Sequence, residues 1–151
     1  MNIFQKILTY KKSTSTYAVG LVQAKAYRTL KQKTNAFLAP HGLTASEWAL
    51  LGILFETPEG HTLTDISVAL GVKGPLVTRM VAILVTKNVV AIKKTDSDSR
   101  MKRLVLTAIG RNLVARLEPL LRKESATWVR GATTRDLISY LRVLHIIVKN
   151  E

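Results

Sequence analysis

A mainly helical fold with one small β wing, a winged helix-turn-helix held between N- and C-terminal helical regions, is what this 151-residue sequence predicts. Three observations carry it. Leu63–Val72 reads as a short helix closed by Gly71, and Lys73-Gly74-Pro75 opens a second helix that runs to Lys87. Pro75 costs nothing there, because a first-turn residue has no intrahelical acceptor for an N–H. The β-rich pieces Val89–Lys94 and Met101–Leu106 then flank a turn-forming loop, Thr95-Asp96-Ser97-Asp98-Ser99-Arg100. A helix-turn-helix followed at once by a hairpin has a shape suited to lying on a DNA duplex.

The remaining elements follow in order. Residues 1–12 read as a basic N-terminal tail. From Ser13 to about Leu38 the spacing of Tyr17, Leu21, Ala24, Leu30 and Phe37 is helical, and Ala39-Pro40-His41-Gly42 stops it. Thr44-Ala45-Ser46-Glu47 has capping-box spacing and opens a helix through Trp48, Leu51, Leu54 and Phe55. After the hairpin, Thr107 starts a long helix with Leu113, Leu117, Leu120 and Leu121 on one stripe; Pro119 inside it is expected to kink or split it. Gly131 breaks the chain, Thr133-Thr134-Arg135-Asp136 recaps it, and Leu137, Leu141, Leu144 and Val148 form the last amphipathic stripe. The expected organisation is one compact domain: 43–106 the winged helix, 13–42 and 107–151 a helical dimerisation region. The flanking stripes exceed what a winged helix needs for its own core, and a two-fold dimer would bury them.

Composition bounds the function. Hydrophobic residues make up 47% of the chain, which argues against disorder. No apolar run approaches the roughly 20 residues of a membrane span, and the N-terminus lacks a cleavage signal, so a cytoplasmic protein without membrane partner is expected. Cysteine is absent, which excludes disulfides and thiolate metal sites. Lys and Arg number 23 against 10 Asp and Glu, a net charge of +13 that favours a polyanionic partner. Six cations (Lys87, Lys93, Lys94, Arg100, Lys102, Arg103) face only Asp96 and Asp98 in and beside the hairpin. No phosphate-binding glycine loop, nucleophile elbow or paired acidic motif is present, so no enzyme is expected. His41, His61 and His145 have no metal-ligand spacing, and neither metal nor cofactor is expected.

Several ordered motifs identify a resemblance. Leu43-Thr44-x-x-Glu47-Trp48-x-x-Leu51, Leu63-Thr64-x-Ile66-x-x-x-Leu70-Gly71-Val72 and Val77-Thr78-Arg79-x-Val81-x-x-Leu84 come first. Lys87-Asn88-Val89-Val90, Asp98-Ser99-Arg100 and Leu106-Thr107-x-x-Gly110 follow. Together they resemble the MarR family of winged-helix transcription regulators. Asn88 stands where that family usually has glycine, and asparagine tolerates the same left-handed backbone. Ser99 stands where relatives often carry a basic residue.

The resemblance implies a homodimer, more often a repressor, that occupies a palindromic operator in double-stranded DNA. On the helix Pro75–Lys87, Val77, Val81 and Leu84 are expected to face the core. Thr64, Lys73, Gly74, Pro75, Leu76, Thr78 and Arg79 are then left for DNA, with Arg79 suited to guanine N7 and O6. At the wing tip, Ser97, Asp98, Arg100 and Lys102 complete the expected interface, with Arg100 in the minor groove and Asp98 orienting its guanidinium. Tyr17, His41 and Trp48 would fall near the pocket where relatives take small aromatic or phenolic effectors. The competing reading is a nucleic-acid-binding structural protein, on duplex DNA or RNA, that uses the basic winged helix without sequence preference.

Overall fold

The structure, a computed structural model, describes residues 16–95 and 98–150. The basic tail 1–12 and Ser97 lie outside the described residues. The chain runs α1 (Thr16–Leu38), a 3-10 turn (Ala39–His41), α2 (Ala45–Glu56), α3 (Leu63–Leu70), α4 (Gly74–Thr86), β1 (Val90–Thr95), β2 (Asp98–Leu106), α5 (Ala108–Trp128) and α6 (Thr134–Lys149). The expected fold class, helical with a two-stranded antiparallel wing, is the one observed.

Threonines set where helices begin. Thr44, Thr62, Thr107 and Thr133 are the N-caps of α2, α3, α5 and α6, each accepting a backbone N–H through its hydroxyl. Glu47, Asp65 and Asp136 complete capping boxes by accepting the N–H of their own N-cap residue. The Thr62–Asp65 box was legible as Thr-x-x-Asp but was not among the expected caps. Helix α4 ends in a Schellman pattern: Asn88 N–H bonds the Val85 carbonyl and Val89 N–H bonds Leu84. Asn88 has φ +57°, the left-handed conformation expected of it in place of glycine.

One core serves the whole winged helix. Leu38 of α1, Leu50, Leu51 and Leu54 of α2, Ile66 of α3 and Leu84 of α4 are fully buried, as are Leu104 of β2 and Leu117 of α5. Val77, Val81 and Leu84 face inward as expected, and Met80 joins them. Helices α3 and α4 meet at 112° across Gly71, within the usual range for a helix-turn-helix. The wing pairs Val90 with Leu106 through Lys94 with Lys102, then shifts register to pair Thr95 with Asp98. His61 adds a bridge to Leu104, with backbone hydrogen bonds of 3.1 and 2.7 Å, so the loop before α3 lies along the free edge of β2.

Two expectations need correction and one is narrowed. Of the kink or split expected at Pro119, the split does not occur, and helix α5 continues past it. Pro119 and Ala115, whose carbonyl loses its partner, are both exposed to water, while Val114, Leu117 and Leu121 anchor the turns on either side. Leu120 is half exposed and does not belong to the buried stripe. The second strand starts at Asp98, three residues before Met101, so Arg100 stands in a strand and not at a loop tip. There Asp98 pairs with Thr95, and the register shift carries Ser99, Arg100 and Met101 past β1 as a bulge.

Among the described residues, no single helix is long and apolar enough to cross a membrane. Gly110 lies directly under the end of α4: a Cβ there would collide with the Val89 carbonyl oxygen and stand 2.9 Å from its carbon. Gly52 in α2 has no atom within 4 Å of the corresponding position. Gly110→Ala is therefore expected to destabilise the fold by about 1–3 kcal/mol, and Gly52→Ala to leave it unchanged or stabilise it by up to about 1 kcal/mol. Urea unfolding of the two variants measures both.

Candidate nucleic-acid interface

Helix α4 buries Val77, Met80, Val81 and Leu84 at helical spacing, and its outward side carries Thr78, Arg79 and Thr86 among exposed Leu76, Ala82, Ile83 and Val85. Lys73, its N-cap, and Gly74, Pro75, Thr78 and Arg79 are all exposed on the first two turns. The Thr78 hydroxyl donates to the Gly74 carbonyl at 3.1 Å, which leaves its oxygen free to accept. Thr64 is exposed in the first turn of α3. Leu76 is 44% exposed but also lines a cleft on the opposite flank of α4, towards α1 and α2.

The wing stands beside this face and carries an unusual charge arrangement. Lys93 pairs with Arg103 and Lys94 with Lys102, so two successive rungs set cation against cation. Like charges directly opposite in an antiparallel ladder destabilise it. Arg103 is relieved in part by donating to the Gly60 carbonyl at 2.7 Å. Lys87 likewise donates to the Gly42 carbonyl. Two of the six cations expected around the wing thus make internal contacts that the sequence did not announce. Asp98 pairs with Thr95 by its backbone, while Arg100 falls among the three residues of β2 that the register shift leaves without a partner on β1; the side chains of both lie outside the described parts.

The cationic excess is not confined to the wing. Residues 43–106 hold eight basic and six acidic side chains, so most of the +13 sits on the flanking helices. Helix α1 has no acidic residue over its 23 positions.

A 390 Å³ cleft opens between α1, α2 and the helix-turn-helix. Tyr27, Lys31 and Thr34 line one wall, Ala45 and Ala49 another, and Leu76 and Met80 of α4 the third. The three residues expected near an effector pocket do not line it. Tyr17 is 68% exposed at the start of α1, His41 is exposed with its ring 6.1 Å from that of Phe37, and Trp48 packs half-buried against the core. The lining is mostly small or aliphatic, with Tyr27, Lys31, Thr34 and Ser46 as its polar or aromatic members.

Two helices crossing at 112° beside a cationic two-stranded hairpin define a winged-helix fold. Residues 41–101 match the MarR family model, so the resemblance read from the motifs is borne out. Solved structures agree over nearly the full chain. The S. aureus MepR–DNA complex is 23% identical over 93% of this chain and 100% of that one, with a TM-score of 0.72. CouR from Rhodococcus jostii bound to p-coumaroyl-CoA is 19% identical over 85% and 90%, with a TM-score of 0.79. BpsR of Bordetella bronchiseptica, whose DNA binding is regulated by 6-hydroxynicotinic acid, is 19% identical over 92% and 96%, at 0.76. The fold is that of the MarR-family winged-helix transcription regulators.

The capping carboxylate of α3 gives the stability of the fold a pH dependence. Asp65 accepts from the backbone N–H and the hydroxyl of Thr62, and these bonds hold its pKa below the usual carboxylate value, helped by His61 and Arg103. A depressed folded-state pKa contributes stability that is present above the unfolded value of about 3.9 and lost as pH falls through the folded one. Asp65→Asn should remove that dependence: the stability difference from the parent is expected to shrink steadily as urea melts are taken from pH about 5 down to about 2.

Proposed function

We propose that this protein is a sequence-specific transcription regulator, a repressor that binds a palindromic operator in double-stranded DNA as a homodimer in the cytoplasm. The observation that carries the reading is the pair of cation-on-cation rungs in the wing, Lys93 with Arg103 and Lys94 with Lys102. Such rungs weaken a free hairpin and gain only when a polyanion lies against them. The N-terminal turns of α4 beside them are exposed and carry Lys73, Thr78 and Arg79. In this reading Arg79 reads a base edge, and Thr64, Lys73, Gly74, Pro75, Leu76 and Thr78 hold phosphates or base edges around it. Ser97, Asp98, Arg100 and Lys102 of the wing address the neighbouring minor groove. The DNA complex of MepR supports the placement.

The second copy is argued from α6. That helix buries none of its residues in a single chain, yet Ile138, Leu141, Ile147 and Val148 are each more than half exposed. Tyr17 and Leu21 of α1 are exposed as well. Apolar surface of this extent is rare on a monomer. A second copy of the chain covers it and supplies the two-fold symmetry a palindrome requires. Light scattering at micromolar concentration should return a dimer; a stable folded monomer would overturn this part.

An effector belongs to the same reading. The cleft between α1, α2 and α4 touches both the arm and the DNA-facing helix, and its aliphatic lining with Tyr27 and Lys31 suits a small aromatic or phenolic acid. The ligand-regulated relatives CouR and BpsR support it.

Arg79→Ala is expected to weaken operator binding by about 1–3 kcal/mol and binding to random duplex far less. Titration at fixed salt against both duplexes measures it. Equal losses on the two, or equal affinity of the parent chain for them, would favour a nucleic-acid-binding structural protein without sequence preference.

A further inference from the structure

The C-terminal end of α4 is fastened by polar contacts that the DNA-facing surface does not use. Lys87 reaches back across the fold: its ammonium donates to the Gly42 carbonyl and stands 4.0 Å from Glu47 Oε1. Glu47 is only 4% exposed, the one buried charged side chain among the described residues. Its other oxygen, Oε2, accepts the Thr44 N–H at 2.8 Å. A buried carboxylate needs such partners, and the ammonium is the cationic one. Gly42 and Glu47 flank the joint where α1 turns into α2, and Asn35 of α1 ties into the same joint by accepting the Ala45 N–H at 2.7 Å. One side chain thus spans from the end of α4 to the root of the arm helix α1.

The contrast with the rest of α4 gives this contact its role. Val77, Met80, Val81 and Leu84 hold the helix by apolar packing, which is strong but non-directional. A charge-assisted hydrogen bond fixes direction. On the far side the Thr107 hydroxyl donates to the Asn88 carbonyl at 2.7 Å, joining the same helix end to α5. Among the described residues the other end, Lys73 to Arg79, has no side-chain hydrogen bond to another element, and buried Val77 holds it by packing. Helix α4 thus has its directional ties at its C-terminus and apolar packing at the end that would enter the groove.

We propose that Lys87 is a positioning residue for DNA reading: it sets the angle of α4 to α1, so that a movement of the arm is passed to the reading helix. This rests on the DNA-binding function proposed above and extends it. The chain has no cysteine, which makes the angle measurable. Gln32 of α1 and Ala82 of α4 are both exposed, and Gln32→Cys with Ala82→Cys accepts a pair of spin labels. Doubly labelled chains diluted into unlabelled ones report the α1–α4 distance within one chain by pulsed electron resonance. The parent should give one narrow distribution. Lys87→Met, which keeps the aliphatic stem and removes the ammonium, should broaden it at least about twofold, and Lys87→Arg should restore it. The Met variant should also bind a full palindrome about tenfold more weakly, a typical coupling, while its affinity for a single half-site stays at the parent value. Should Lys87→Met fail to fold, Glu47→Gln, which keeps the bond to Thr44 and removes the charge partner, is expected to give the same broadening. A distribution superposing on the parent's, or no restoration by arginine, would overturn the role of Lys87. A parent chain with no preference for any palindrome would overturn the DNA reading alone, because the label distances decide Lys87 without DNA.

Discussion

The approach of Gly110 to the Val89 backbone fixes where α4 stops and where the wing begins. With a side chain at position 110 the start of α5 could not sit under the Val89 carbonyl. That carbonyl accepts the Thr107 N–H at 3.1 Å, and the Thr107 hydroxyl, which donates to Asn88, also accepts the Gly110 N–H. The left-handed turn at Asn88 then delivers Val89 and Val90 into the core and sends β1 away beside α4. Move this junction and the angle between the exposed helix and the hairpin changes, and with it the surface that meets a duplex.

The charge on that surface makes sense only with a partner. Two cation-on-cation rungs are a local cost in the free protein, and Arg103 is relieved in part by the Gly60 carbonyl. Evolution of a hairpin for stability alone would place opposite or neutral residues across from one another. The same logic applies to α6, whose apolar face is left open in a single chain. Both features read as half of an interaction, one with a polyanion and one with another apolar face.

Much of the fold was legible in the sequence because local rules governed it. Thr44 with Glu47 and Thr133 with Asp136 announced two helix starts through side-chain-to-backbone hydrogen bonds that span three residues. Gly71 and Asn88 announced two helix ends through the left-handed backbone they tolerate. The apolar spacing of Val77, Val81 and Leu84 told which face of α4 turns outward, and so which residues could reach DNA. Pro119 left a kink or a split open, and α5 runs through it unsplit with Pro119 and Ala115 both on its exposed side.

The sequence by itself therefore determined the order of elements, their caps and the outward face of α4, since each depends on neighbours within a few positions. Contacts between residues 40 or more apart were decided only by the tertiary structure. Arg103 to Gly60 and Lys87 to Gly42 join residues that share no local pattern, and both had looked like free cations of the wing. The cleft lining was hidden for the same reason: Tyr27, Ala45 and Met80 meet only because three helices converge, and Tyr17, His41 and Trp48 are not part of that lining. Periodicity tells a residue which side of its own helix it occupies. Packing alone tells it which other helix lies opposite.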